Sequence, residues 1–376
     1  MKAAVSILVF LYFTAAGFAQ EQHPEVTIHS RVDTTNPEIK LIIKLWTNYL
    51  NAAPDSLYNN PHWNNTEKAV YADFDFSRKF IYQVPSDQLL HYFKPTVLSV
   101  EKEGKYYSIR TIFFAGDTNS VSKRSNPWCI TKLYAVKENK EWKLINALPV
   151  ITEKWARKKI GKITFIYPPA HQFNLQSASK ANEFCEYLQS KFKLPAIEPF
   201  AFYITDNADD MGKLLNFDFY FAGYTTGTAM RNNNILLSGL GSEYYPHELV
   251  HMILPESGMH SMIEEGFASW QGGSNGKTFE ENVLQLADLM YKNGEITFNT
   301  VLNKSSDWHT SAYYTMGAVL CKTAFDTGGI DFVQALLNVP NEDSKLIETV
   351  CNIFKIKPED IDRFLKSKIT AYSSVR

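Results

Sequence analysis

The sequence predicts an α+β protein in two parts, and three observations predict it. Early in the chain, a helix with apolar residues three and four apart gives way to strands with apolar residues at every second position. Later, short apolar strands alternate with an amphipathic helix, and from Ser242 onward the pattern is helical almost throughout. Where these later regimes meet stands His247-Glu248-Leu249-Val250-His251, the stretch around which the second part is organised.

Composition sets the bounds. The chain has 376 residues, of which 45% are hydrophobic and 21% charged, so it is ordinary globular protein long enough for two domains. A formal net charge of −2 supplies no field for nucleic acid or an anionic membrane, and neither is expected as a partner. Residues 1–19 read as a signal peptide: Lys2 is the positive end, Ala3 to Phe13 are nearly all apolar, and Gly17-Phe18-Ala19 is small where a signal peptidase cuts. The apolar run is short for a membrane span. Cleavage after Ala19 would leave Gln20 and not a lipid-bearing cysteine at the new terminus. The expected product is secreted or periplasmic, with no stable membrane anchor. Export permits disulfides, and Cys129, Cys185, Cys321 and Cys351 allow three pairings. The length needs no staples, so buried free thiols are expected, with Cys321–Cys351 the candidate bridge.

The first domain is expected over residues 24–150. Asn36-Pro37 starts a helix carrying Ile39, Ile42, Ile43, Trp46, Tyr49 and Leu50 on one face. Asn-rich loops follow. Then Ala72, Phe74 and Phe76 alternate with Asp73, Asp75 and Ser77, which predicts a strand. Val97–Val100, Lys105–Phe114, Trp128–Val136 and Trp142–Leu148 read as further strands, with hairpin turns at Glu103-Gly104 and Glu138-Asn139-Lys140. A helix followed by a long meander resembles the NTF2-like α+β cone. His62 and His91 are isolated and read as surface or cap residues, and Ser122-Lys123-Arg124-Ser125 as a solvated basic loop.

The second domain is expected over residues 152–376. Glu153 to Lys159 reads as a charged linker, and Ile160–Tyr167 as a strand. Ser177–Phe192 is a helix with Ala181, Phe184, Cys185, Leu188 and Phe192 on one face. Pro199–Thr205 is a strand, and Asn234–Ser238 an edge strand just before the His-Glu motif.

The motif carries the chemistry. Residues 247–254 contain neither proline nor glycine, and on a helix positions four apart share a face. His247 and His251 would then aim two imidazoles at one point, the donor type zinc takes readily. Glu248 lies one step round, within reach of a water there. Pro246 suits a helix that begins at that point and would be awkward in one begun at Ser242. Fourteen residues after His251 comes Glu265, within Glu264-Glu265-Gly266-Phe267-Ala268-Ser269, and Gly272-Gly273 would end the helix that carries it.

Together these residues resemble the gluzincin clan of zinc peptidases, and most nearly the zinc aminopeptidases, whose second motif reads NEGFAS. The likeness is close over about thirty residues and loose over the rest of the second part. It implies a zincin-like domain holding one Zn2+ per chain, with His247, His251 and Glu265 as ligands and a peptide or protein as substrate. Ser261-Met262-Ile263-Glu264 fits a capping box, which would turn Glu264 back to the helix start and leave Glu265 to the metal. The gap from His251 to Glu265 is shorter than the aminopeptidases have. Their amine-anchoring GAMEN motif is echoed only by Thr228-Ala229-Met230-Arg231-Asn232, with Arg231 in the glutamate's place. Their oxyanion-stabilising tyrosine has two candidates. Tyr314, one turn before Gly317, is preferred; Tyr313 aligns with Met316 and Leu320 in a core stripe.

The implied reaction is hydrolysis by a zinc-activated water, with Glu248 as general base and Tyr314 as transition-state donor. Glu243, Glu256 and His260 are expected at the surface, and Asp288 and His309 are candidate partners of the histidines. The alternative is a catalytically inactive zinc-binding or ligand-binding protein. An intact Glu248, which a site that merely holds zinc does not need, weighs against it.

Overall fold

The computed structural model describes residues 26–52, 59–72, 74–78, 93–115, 126–255, 258–303 and 309–374. The expected signal peptide, His91, the basic loop at 122–125, Glu256 and the side chain of His309 lie outside what is described.

The first part is a helix on a meander. Asn36 caps α1 (Pro37–Leu50) by accepting from the amides of Glu38 and Ile39. The helix buries Ile39, Ile42, Leu45, Trp46, Tyr49 and Leu50, each such side chain contributing roughly 1.5–3 kcal/mol on removal from water. The sheet runs β1 (Thr27–Ile28), β2 (Phe93–Glu103), β3 (Tyr106–Ala115), β4 (Asn126–Glu138), β5 (Glu141–Ile145). The two hairpin turns fall where the sequence predicts them, with positive φ at Gly104 and at Asn139–Lys140.

Two expectations fail here. The alternation around Phe74 and Phe76 makes no strand among the described residues. After α2 (Asn65–Val70), side chains take the hydrogen bonds that a strand partner would have supplied. Asp75 accepts from the amide and hydroxyl of Ser77 and from the Tyr49 hydroxyl, while Asn146 binds the Phe76 amide and the Phe74 carbonyl. The last strand stops at Ile145, and α3 (Ala147–Ile151) follows it. The Ala147 amide donates to Asn216 Oδ1 at 2.7 Å.

The second sheet is mixed. Its order is β10-β11-β8-β7-β6, built from β6 (Ala156–Ile160), β7 (Ile163–Tyr167), β8 (Phe200–Ile204), β10 (Gly227–Met230) and β11 (Ile235–Ser238). Residues 156–159, expected in the linker, are therefore strand, joined with Ile160 in β6. They form an antiparallel edge strand whose lysines face solvent, folded back on β7 through a turn at Gly161. Residues 235–238 are not the edge either. All four are buried, parallel to β8 on one side and antiparallel to β10 on the other, so β10 is the edge. Alternate residues of this sheet feed two cores. Phe165, Phe202 and Leu236 pack under α4 (Leu175–Phe192), whereas Ile166, Tyr203, Ile235 and Leu237 pack with the first sheet. Burial on both faces explains why these strands read as apolar runs.

Between β8 and β10 the chain forms α5 (Ala208–Leu214) and β9 (Phe217–Tyr220), and β9 pairs with β4 of the first sheet. The rest is helical: α6 (Pro246–Ile253), α7 (Ser261–Gly272), α8 (Phe279–Lys292), α9 (Phe298–Leu302), α10 (His309–Leu337, interrupted at Gly329), α11 (Asp343–Phe354) and α12 (Ile361–Ser373). All four cysteines are free thiols, three of them buried, and Cys321 and Cys351 are not bridged. No described helix is long and apolar enough to cross a membrane.

Asn146, fully buried, joins these parts. Its side chain binds Phe74, Phe76, Glu67 and Asn216. Asn146→Ala should cost about 2–4 kcal/mol in denaturant unfolding, because several buried groups lose their partner at once. A loss below about 0.5 kcal/mol would mean that water replaces the amide.

Candidate metal centre

The site is built where α6 meets α7. Pro246 occupies the first turn of α6, so the helix begins at the residue that tolerates a missing amide hydrogen. Leu249, Val250 and Ile253 bury one side of it. The other side carries His247 and His251, whose Nε2 atoms lie 3.3 Å apart. From α7, Glu265 brings Oε2 to 3.3 Å from His247 Nε2 and 3.5 Å from His251 Nε2. These three residues are close enough to hold a metal ion.

Both imidazoles are oriented from behind. His247 Nδ1 is 2.7 Å from the carbonyl of Gly273. A carbonyl only accepts, so Nδ1 carries the hydrogen and Nε2 presents its lone pair. His251 Nδ1 is 3.2 Å from Glu264 Oε1, with the same consequence. With both rings neutral, as metal binding requires, two lone pairs and a carboxylate oxygen converge, and Glu265 Oε2 is buried with no other hydrogen-bond partner. This arrangement fits a cation. Ligands about 2.0–2.1 Å from a tetrahedral centre sit about 3.3–3.4 Å from one another, which is the spacing found here.

Without a cation, protons must do the work. Burial disfavours a charged His251, but the hydrogen bonds its protonated ring donates to Glu264 and Glu265 and the charge of Glu248 outweigh it and hold its pKa up at about 10. Burial likewise opposes ionisation of Glu265, and His247 and His251 overcome it, holding that carboxyl below its ordinary range.

Close backbone contacts set the geometry. A Cβ on Gly272 would lie 2.5 Å from the His247 amide nitrogen, so the end of α7 abuts the start of α6. Gly266 and Gly317 meet at the crossing of α7 and α10: a Cβ on Gly266 would lie 2.2 Å from the Gly317 carbonyl carbon, and one on Gly317 would lie 2.0 Å from the Met262 oxygen. This approach brings Tyr314 over His247, with ring centroids 6.0 Å apart and planes 17° from parallel. Burial and the Glu265 charge push the Tyr314 hydroxyl well above its ordinary pKa of 10.0. Tyr313 points elsewhere, to the Ser261 hydroxyl, and is buried in the core. Glu248 is also buried, and burial raises its carboxyl pKa against the charges of His251 and His247 and the nearby Ala229 backbone of β10.

Several expectations need correction. Glu264 makes no capping box. His260 caps α7 by accepting from the Met262 amide, and Glu264 instead binds His251 and Arg231. Glu243 is not at the surface. It is 2% exposed and holds His171 Nε2 at 2.9 Å and the Asn174 amide at 2.8 Å. His260 is 1% exposed and paired with Asp343. Asp288 binds Lys292 on the exposed side of α8 and is no partner of the histidines. The sequence reading missed the Gly273 carbonyl and the role of Arg231, which it noted only as a departure from a motif.

No protein-family model matches the chain, and neither does any curated protein.

The protonation of His251 has a consequence for stability. Its folded pKa lies above the ordinary 6.5, so its contribution is complete below about pH 6.5 and is lost as pH rises through about 10. Chelator-treated protein should therefore melt at lower temperature near pH 9.5 than near pH 6.5. Added zinc should reverse the trend, because only the deprotonated imidazole binds metal. A melting temperature of chelated protein that rises over this range would contradict the assignment.

Proposed function

We propose that the protein is an exported zinc-dependent peptidase of the gluzincin type, with a zincin-like catalytic domain and an NTF2-like cone beside it. One observation carries this reading: two imidazole nitrogens and one carboxylate oxygen face one another at 3.3–3.5 Å, with Glu248 on the same helix. The donor set favours zinc, and three protein ligands leave a coordination position open. A zinc ion held there supplies Lewis acidity, polarising a carbonyl and acidifying water.

The chain's own groups do the rest. Glu248, buried and with its pKa raised, takes the proton from the attacking water and passes it to the leaving amine nitrogen. Tyr314, kept protonated by its surroundings, donates its hydroxyl hydrogen to the oxyanion. The edge strand β10 offers backbone groups to an extended peptide. Arg231 is engaged by Glu264 and bears the wrong charge to anchor a substrate amine, so the assignment is to peptide hydrolysis at large and not to amino-terminal trimming.

Elemental analysis tests the metal. Wild type should carry about one zinc per chain and His251→Ala none, the expected behaviour of a three-ligand site that loses a ligand. A well-folded wild type without zinc would overturn the reading. A peptide-library assay tests the chemistry. Glu248→Gln should keep zinc and lose nearly all turnover, and Tyr314→Phe should lower kcat by about 10- to 1000-fold at unchanged zinc content. A Glu248→Gln variant as fast as wild type would leave a metal site without the proposed base. A loss in Tyr313→Phe in place of Tyr314→Phe would move the donor by one residue.

A further inference from the structure

We propose that Arg231 is a positioning residue of the metal centre, acting through Glu264 on His251. The inference rests on the metal-site reading above and deepens it.

Glu264 and Glu265 are adjacent on α7, and both are long enough to reach the histidines. What separates their roles is the company each keeps. Glu265 Oε2 has no hydrogen-bond donor. Glu264 Oε1 has two: Arg231 Nη2 at 2.6 Å and His251 Nδ1 at 3.2 Å. The shorter contact is the one to the permanently charged guanidinium, and it holds the carboxylate on the Nδ1 side of the ring. The His251 contact alone is long and would leave the glutamate free to turn.

Arg231 is itself fixed. Its Nη1 donates to the Pro255 carbonyl at 2.9 Å and reaches the Leu254 carbonyl at 3.5 Å, both just past the end of α6. One planar guanidinium thus ties the helix that bears both histidines to the helix that bears the third ligand. A lysine ammonium could pair with Glu264 but could not span all three acceptors in one fixed plane. Because Arg231 directly follows β10, the clamp also ties the edge strand to the metal site.

Metal affinity, read by competition with a chromogenic chelator, tests this without any substrate. Arg231→Met should weaken zinc binding about 10- to 100-fold, the usual effect of losing a residue that orients a ligand. Arg231→Lys should recover part of it. The visible spectrum of the cobalt-loaded protein, which reports ligand geometry, should change in Arg231→Met. In a Glu264→Gln background, Arg231→Met should cost little more, since both act along one path. Arg231→Met that lowers the melting temperature but keeps wild-type affinity and cobalt spectrum would make Arg231 a structural staple and overturn the proposal. Equal losses with and without Glu264 would overturn it too. Zinc binding in wild type with no effect of Arg231→Met defeats this inference alone, whereas no zinc in wild type defeats the metal reading with it.

Discussion

Two imidazole nitrogens and a carboxylate oxygen meet in one buried spot, and the second half of the chain is arranged to keep them there. Such a convergence is repulsive unless a proton or a metal ion sits within it. The fold therefore opposes it with fixed dipoles and charges: the Gly273 carbonyl behind His247, and Glu264 with Arg231 behind His251. It opposes it also with steric fit. At Gly266, Gly317 and Gly272 the backbones touch, and a methyl group at any of them would push α6, α7 and α10 apart. Position is thus held by contacts that allow little adjustment, as preorganised sites require.

How legible this was depends on the range of each interaction. Helix periodicity is local, so the four-residue spacing of His247 and His251 could be read directly, as could the helix ends at Pro246 and Gly273. Glu265 was legible through a resemblance. Glu264 misled, because Ser261 and Glu264 have capping-box spacing, while the helix begins one residue earlier in function, at His260, whose ring nitrogen takes the Met262 amide. Its true partner, Arg231, lies 33 residues away in sequence, a separation that no local pattern encodes.

The same contrast holds for the fold. The meander and its turns follow from period-two alternation and from residues that tolerate positive φ. The segment at 72–77 alternates just as well, yet its described residues 74–77 form no strand, because Asp75 and Asn146 capture their backbone and neighbouring hydroxyls. A side chain from far along the chain can substitute for a strand partner. Residues 156–159 failed in the opposite way. Charge made them look like linker, yet an edge strand can carry lysines, and charge there discourages pairing with other chains.

The excursion of α5 and β9 gives the first part a mechanical connection to the site. The chain leaves the second sheet after β8, pairs β9 with β4, and returns through residues 221–226 to β10. The turn into β9 is pinned at Asn216, which has positive φ, donates to Asn146 and accepts from the Ala147 amide. Tyr224 then packs against Phe217 and Tyr220, on the side of the first sheet's core. Strand β10 starts three residues later and lies against Glu248, since a Cβ on Gly227 would come 2.7 Å from the Glu248 Cγ. The edge strand is thus held at its start by the first sheet and at its end by Arg231 and Glu264. On the proposed reading, a peptide laid along β10 would pair with a strand fixed at both ends.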